Sequence, residues 1–96
     1  MNVDVPLSIS NSADQVELAM KLVKDVINDN PEALPKWIRF KNFDDQSFVI
    51  AFRFAVEFKQ RHKVQTEIST EIAKRFQKHN IEFSVIPYMK IEKKSS

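Results

Sequence analysis

The chain contains no glycine. Gly-rich loops cradle phosphate because only glycine combines positive φ with close backbone approach, so a P-loop and a dinucleotide fingerprint are both excluded. Cysteine is absent as well, which removes disulfides, thiolate metal sites and a cysteine nucleophile and leaves compartment unreadable from redox usage. The longest apolar stretch, Phe48 to Phe58, is eleven residues and is broken by Arg53 and Glu57, whereas a membrane-spanning helix needs about 20 apolar residues. The N-terminus lacks the basic start, apolar middle and small-residue cleavage site of a secretory signal. Charge of one sign is scarce: 15 Lys plus Arg against 13 Asp plus Glu leave +2, a weak electrostatic footprint for nucleic acid.

What remains is an ordinary globular composition. A length of 96 residues with 43% hydrophobic and 29% charged content supports one domain with its own core and neither disorder nor a fibrous repeat.

Val3, Val5, Leu7 and Ile9 alternate with Asn2, Asp4, Pro6 and Ser8, the period of a strand with one buried face. Pro6 predicts either a bend or divided pairing, because proline donates nothing to a ladder. Ser12 and Gln15 fit a capping box, so a helix is expected from Ala13. Val16, Leu18, Ala19, Met20, Leu22, Val23, Val26 and Ile27 then fall within an arc of roughly 200°, and Asn30-Pro31 ends the helix. A second strand is expected from about Lys36 to Asn42, with Ile38 and Phe40 inward and Trp37, Arg39 and Lys41 on the other face. Asp44, Asp45 and Gln46 form the hairpin turn.

The clearest signal follows, because Phe48, Ile50, Phe52, Phe54, Val56 and Phe58 occupy every even position of a third strand. Its odd face carries Val49, Ala51, Arg53, Ala55, Glu57 and Lys59, too apolar to prefer water, so a covering partner is expected there. Val64, Ile68, Ile72 and Phe76 recur at helical spacing, with Glu71 placed to pair with Arg75. Arg61, His62 and Lys63 oppose the dipole at that helix's start, and Asn80 suits the left-handed position that stops it. Ile81, Phe83 and Val85 alternate as a fourth strand.

The order β-α-β-β-α-β predicts an α+β fold: a ferredoxin-like sandwich of four antiparallel strands with both helices on one face, over residues 1–86, with 87–96 as an extension or tail. No catalytic, cofactor or metal site is expected. His62 and His79 are too far apart for a local ligand pair, and Glu67 with Glu71 reads as a solvated face. RNA-recognition modules share this topology but display aromatics on the open sheet face, whereas here the strand-three aromatics face the helices. A small-molecule sensor of the ACT type would need a glycine turn after strand one, which is missing.

From Phe43 the chain reads F-D-D-Q-S-F-V-I-A-F-R-F-A-V, which resembles the F-G-D-S-S-x-x-x-x-x-R-F-x-V signature of the small-conductance mechanosensitive ion channel family, without a gap. Val5-Pro6-Leu7-Ser8-Ile9-Ser10 resembles that family's V-P-V-G-V-S, followed at Asn11 to Asp14 by its Y-D-T-D turn. Pro35, Ile38, Phe40 and Phe43 match its P-x-x-V-x-F-x-x-F, and Ile72 through Phe83 is similar to the helix ending in G-I-E-I-P-F-P. Family glycines fall at Ser8, Asn42, Asp44 and Asn80, Ala55 stands where the family often has tryptophan, and P-F-P becomes Ser84-Val85-Ile86-Pro87.

The resemblance implies the C-terminal cytoplasmic α/β domain of a channel subunit, a structural part and not an enzyme. In that family seven sibling subunits build a hollow cytoplasmic cage beneath a membrane pore. The chain then reads as a fragment of a longer protein, attached to the membrane only through upstream helices it does not contain, on the cytoplasmic side, with no nucleic-acid partner and no cofactor. The resemblance further implies that terminal segments of seven subunits join as a small parallel barrel. The expected subunit contacts are Trp37, Val49, Ala51, Arg53 and Ala55 on the sheet, and Tyr88, Met89 and Ile91 in the tail. The alternative is a free-standing ferredoxin-like ligand-binding or oligomerisation module.

Overall fold

The structure, a computed structural model, describes residues 1–44 and 47–84. In chain order it has β1 (Asn2–Ser8), α1 (Ala13–Asp29), β2 (Leu34–Asp44), β3 (Ser47–Ala55), a short 3-10 turn (Phe58–Gln60) and α2 (Arg61–Lys78). The strands form one antiparallel sheet in the order β1-β3-β2. The fold class is thus α+β.

The phenylalanine alternation places β3 at the centre, since a strand with a bulky apolar face needs neighbours on both edges and a layer above it. Val5 and Leu7 of β1 and Ile50, Phe52 and Phe54 of β3 join Ala19, Leu22, Val23, Val26 and Ile27 of α1 and Val64, Ile68, Ile72 and Phe76 of α2 in one buried cluster. Both helices therefore cover the same sheet face. The Phe52 and Phe54 rings, two residues apart on that face, stack with centroids 6.0 Å apart.

β2 is longer than expected and takes in Pro35, which an edge strand tolerates because one row of its backbone groups points away from the sheet. A bulge between Pro35 and Trp37 leaves Lys36 as the extra residue. At the other end Asp44 pairs with Ser47 after a second irregularity, and the remainder of the expected turn, Asp45 and Gln46, lies outside the described residues.

α1 begins with the expected capping box: Ser12 Oγ accepts from the Gln15 amide at 3.1 Å and Gln15 Oε1 accepts from the Ser12 amide at 2.7 Å. α2 ends in a Schellman motif. The Asn80 amide bonds to the Gln77 carbonyl at 3.2 Å and the Ile81 amide to the Phe76 carbonyl at 2.9 Å. Asn80 has φ 58°, a left-handed conformation that asparagine adopts more readily than most residues. Phe76 and Ile81, which bracket the motif, are both buried.

Of the expected fourth strand, the described residues make a single antiparallel bridge, Leu7 to Phe83. It is flanked by the Ser8 amide donating to the Glu82 carbonyl at 3.0 Å and the Ser84 amide donating to the Pro6 carbonyl at 3.2 Å. These two bonds show that the even-numbered groups of β1 face outward, away from β3. Pro6 accordingly costs the β1–β3 ladder nothing, and β1 runs through it unbroken; on the outer edge it offers an acceptor and no donor. Val85 lies outside the described residues.

Asn11 completes this corner. Its side chain is buried, and Nδ2 donates to the Ser8 carbonyl at 2.9 Å and the Glu82 carbonyl at 2.8 Å, while Oδ1 accepts from the Glu82 amide at 3.1 Å. Gln15 Nε2 adds a bond to the Asn80 carbonyl at 3.1 Å. The segment after α2 is thus held to the β1–α1 turn as much by two amide side chains as by backbone pairing.

Candidate assembly surface

The sheet face opposite the helices is a three-by-three grid set by the pairing register. One row across β1, β3 and β2 is Asn2, Arg53 and Trp37; the next is Asp4, Ala51 and Arg39; the third is Pro6, Val49 and Lys41. Trp37 and Arg53 are direct cross-strand partners, Trp37 half-buried and Arg53 exposed. Val49 is half-buried. Ala55, also half-buried, stands beyond the bulge opposite Leu34, which is 58% exposed.

Ala51, although on this outer face, is only 3% exposed. Lys41 on β2 and Asp4 on β1 reach over the central strand to an ion pair of 3.7 Å. Only a methyl group stands beneath them, and alternate strands lie about 10 Å apart, within reach of a lysine and an aspartate together. Both partners are largely solvated, so the pair contributes at most about 1 kcal/mol. Beside it the Arg39 guanidinium lies 4.1 Å from the Trp37 ring centroid, a cation–π contact between residues that the strand period places on one face. The surface is therefore a charged, partly self-covered sheet face and not a second apolar core. Tyr88, Met89 and Ile91 lie outside the described residues.

Across the helical layer, polar contacts tie α2 to α1 and its exit loop. Lys63 bonds Glu32 at 3.1 Å, Glu67 accepts from Asn30 at 3.1 Å, and Arg75 bridges Asp29 at 3.2 Å and Glu71 at 3.8 Å. Glu71 thus pairs with Arg75 as its spacing predicts, and Glu67, expected with it to form a solvated face, lies in the same set of contacts. The Glu32 carboxylate holds Lys63 above its ordinary value, first by its hydrogen bond and then by its charge, with Glu67 adding to the effect.

His62 and His79 stand exposed at opposite ends of α2, about 25 Å apart by helical rise. Among the described residues no group of three or more His, Cys, Asp or Glu could hold a metal ion, and no helix is long and apolar enough to cross a membrane.

Reading the sequence missed the Asp4–Lys41 pair, the Arg39–Trp37 stack and the Asn11 clip. The stack had a signal, since positions 37 and 39 share a face in any strand. Asp4–Lys41 had none, because it depends on the register of two strands separated by a third.

This arrangement, a three-stranded antiparallel sheet with two helices on one face and an ion-paired face on the other, defines an α+β domain without an evident catalytic centre among the described residues. The family described as "Mechanosensitive ion channel MscS, C-terminal" matches residues 1–83, and the chain belongs to that family. No curated protein matches it.

Proposed function

We propose that the chain is the cytoplasmic cage-forming domain of a mechanosensitive channel subunit, holding sibling subunits together in a heptamer and filtering solutes, with gating left to membrane helices elsewhere in the channel. The observation that carries this reading is the family match over residues 1–83. In this reading the segment at Phe83 opens a fourth strand beside β1, which gives the ferredoxin-like order 4-1-3-2. The sheet face bearing Trp37, Val49, Ala51, Arg53 and Ala55 meets a neighbouring subunit, and Tyr88, Met89 and Ile91 extend that contact in the tail.

The domain acts through contact geometry and not through bond chemistry, so the mechanism is mechanical. A rigid core lets the outer face present fixed charges to a neighbour, where Arg53 offers a planar donor fork to a carboxylate. The chain has no cysteine, which makes single-cysteine cross-linking free of background from this domain. Cysteine placed at Arg53 or Trp37 in an otherwise cysteine-free full-length channel, treated with a thiol-to-amine cross-linker, should give a ladder of cross-linked species ending at seven subunits, because each subunit then offers a thiol to one neighbour and a lysine to the other. A ladder absent at both positions, with the channel still heptameric, would move the interface off this face. Deletion from Pro87 onward should weaken assembly, and an unchanged heptamer would remove the tail from the contact.

A further inference from the structure

Where β3 runs out, a groove of about 400 Å3 opens at the end of the sheet. Three of the residues lining it are cations from three different elements: Lys36 at the β2 bulge, Arg53 of β3 and Arg61 at the start of α2. Among the described residues no acidic side chain lines it. Glu57, in the same connection, is exposed and stands outside the lining. Lys36 and Arg53 have no ion pair among the described residues, in contrast to Lys41, Lys63 and Arg75. Arg61 is steadied by a cation–π contact, its guanidinium 4.2 Å from the Phe58 ring centroid. α2 begins at this point with no side-chain cap and no acid in its first turn, so the positive end of its dipole reinforces the same field. The Met1 amino group also faces the groove but is engaged by the Phe54 carbonyl at 2.7 Å and is left out of the count.

Three like charges that line one groove with no counter-charge among the described residues favour an anion there. A carboxylate satisfies one guanidinium fork. A phosphate dianion offers enough oxygens to engage two forks and an ammonium together. The floor of the groove is apolar, with Phe54 buried and Phe58 71% exposed, and its volume lies within the range of small-molecule sites.

We propose that this groove is a binding site for a small phosphate-bearing solute, held by Lys36, Arg53 and Arg61, with Phe58 available to an apolar or ring-shaped remainder. The site is complete within one chain, and because Arg53 also belongs to the face proposed above to meet a neighbour, a bound phosphate and a neighbouring subunit compete for its guanidinium.

The test is a titration of the isotopically labelled 96-residue chain with inorganic phosphate, followed by amide chemical shifts at constant, low ionic strength. Three exposed charge contacts of up to about 5-fold each multiply to roughly 100-fold and predict a Kd of about 10 mM or weaker. Shifts should saturate and cluster around positions 36, 53 and 61. Arg53→Gln and Arg61→Gln should each weaken binding roughly 2- to 5-fold, while Lys21→Gln, which removes the same unit of charge on the far side of α1, should leave it unchanged. Phenyl phosphate should bind more tightly than phosphate, and Phe58→Ala should erase that difference. Shifts that rise linearly without saturation, or a Lys21→Gln loss equal to that of Arg53→Gln, would reduce the effect to general charge screening and overturn the proposal.

Discussion

Replacing Asn11 by alanine should loosen the corner that joins the β1–α1 turn to the segment after α2. The side chain makes three hydrogen bonds, to the Ser8 carbonyl, the Glu82 carbonyl and the Glu82 amide. The two carbonyls keep a partner without it, because the Ser8 oxygen also accepts from the Asn11 amide and the Glu82 oxygen from the Ser8 amide. The Glu82 amide loses the bond that Asn11 supplies. Net contributions of about 0.5–1.5 kcal/mol per bond give roughly 1.5–4.5 kcal/mol. Glu82 is exposed, so water can replace part of the loss and the lower half applies, about 2 kcal/mol. That is a large share of the roughly 5–15 kcal/mol typical of a small domain. Urea unfolding followed by far-ultraviolet circular dichroism measures the loss, and native-state hydrogen exchange localises it to the amides of Glu82 and Ser84. Asn11→Asp separates hydrogen bonding from size: it keeps an acceptor for the Glu82 amide but turns a carboxylate toward two carbonyls. Its deficit should shrink as pH falls through the carboxylate range, since the protonated form regains a donor. A loss below about 0.5 kcal/mol for Asn11→Ala with unchanged protection at Glu82 would refute the reasoning.

Phe52→Ala and Phe54→Ala should each cost about 3–5 kcal/mol by urea midpoint, because both rings are wholly buried; a loss under about 1 kcal/mol for both would contradict the face assignment. At the α2 stop, Asn80→Ala should destabilise by about 1 kcal/mol while Asn80→Gly is neutral or stabilising, and equal effects in thermal melts would show that the positive φ is not the constraint. Lys63→Gln should bring a small, salt-sensitive loss. The Lys63 charge is favoured in the folded state, with its titration raised from the ordinary 10.5, so this contribution is fully present below 10.5 and disappears as pH rises through the higher folded value. An effect that persists undiminished as pH rises past 10.5 and through the higher folded value would assign the loss to packing instead.

The central strand, both helices and their inward faces were legible in the sequence because each rests on a short-range period: two for Phe48 to Phe54, and about four for Val64, Ile68, Ile72 and Phe76. The capping pair Ser12 and Gln15 and the stop at Asn80 were legible for a related reason, since a cap acts within four residues. The family resemblance came from spacing along one chain as well, and the match over residues 1–83 agrees with it.

Tertiary structure decided what depends on register and on groups far apart in the chain. Asp4 meets Lys41 only because β1 and β2 flank β3 in one alignment, and that contact turns Ala51 from an expected exposed contact into a residue covered by its own chain. Asn11, which reads as simple punctuation between strand and helix, becomes a buried clip because the chain returns 71 residues later with a backbone amide and carbonyl in need of partners. Lys36, Arg53 and Arg61 share one groove because a bulge, a strand end and a helix start converge, and no local period records that convergence. Periodicity decides which face is buried, but long-range register decides which side chains meet on it.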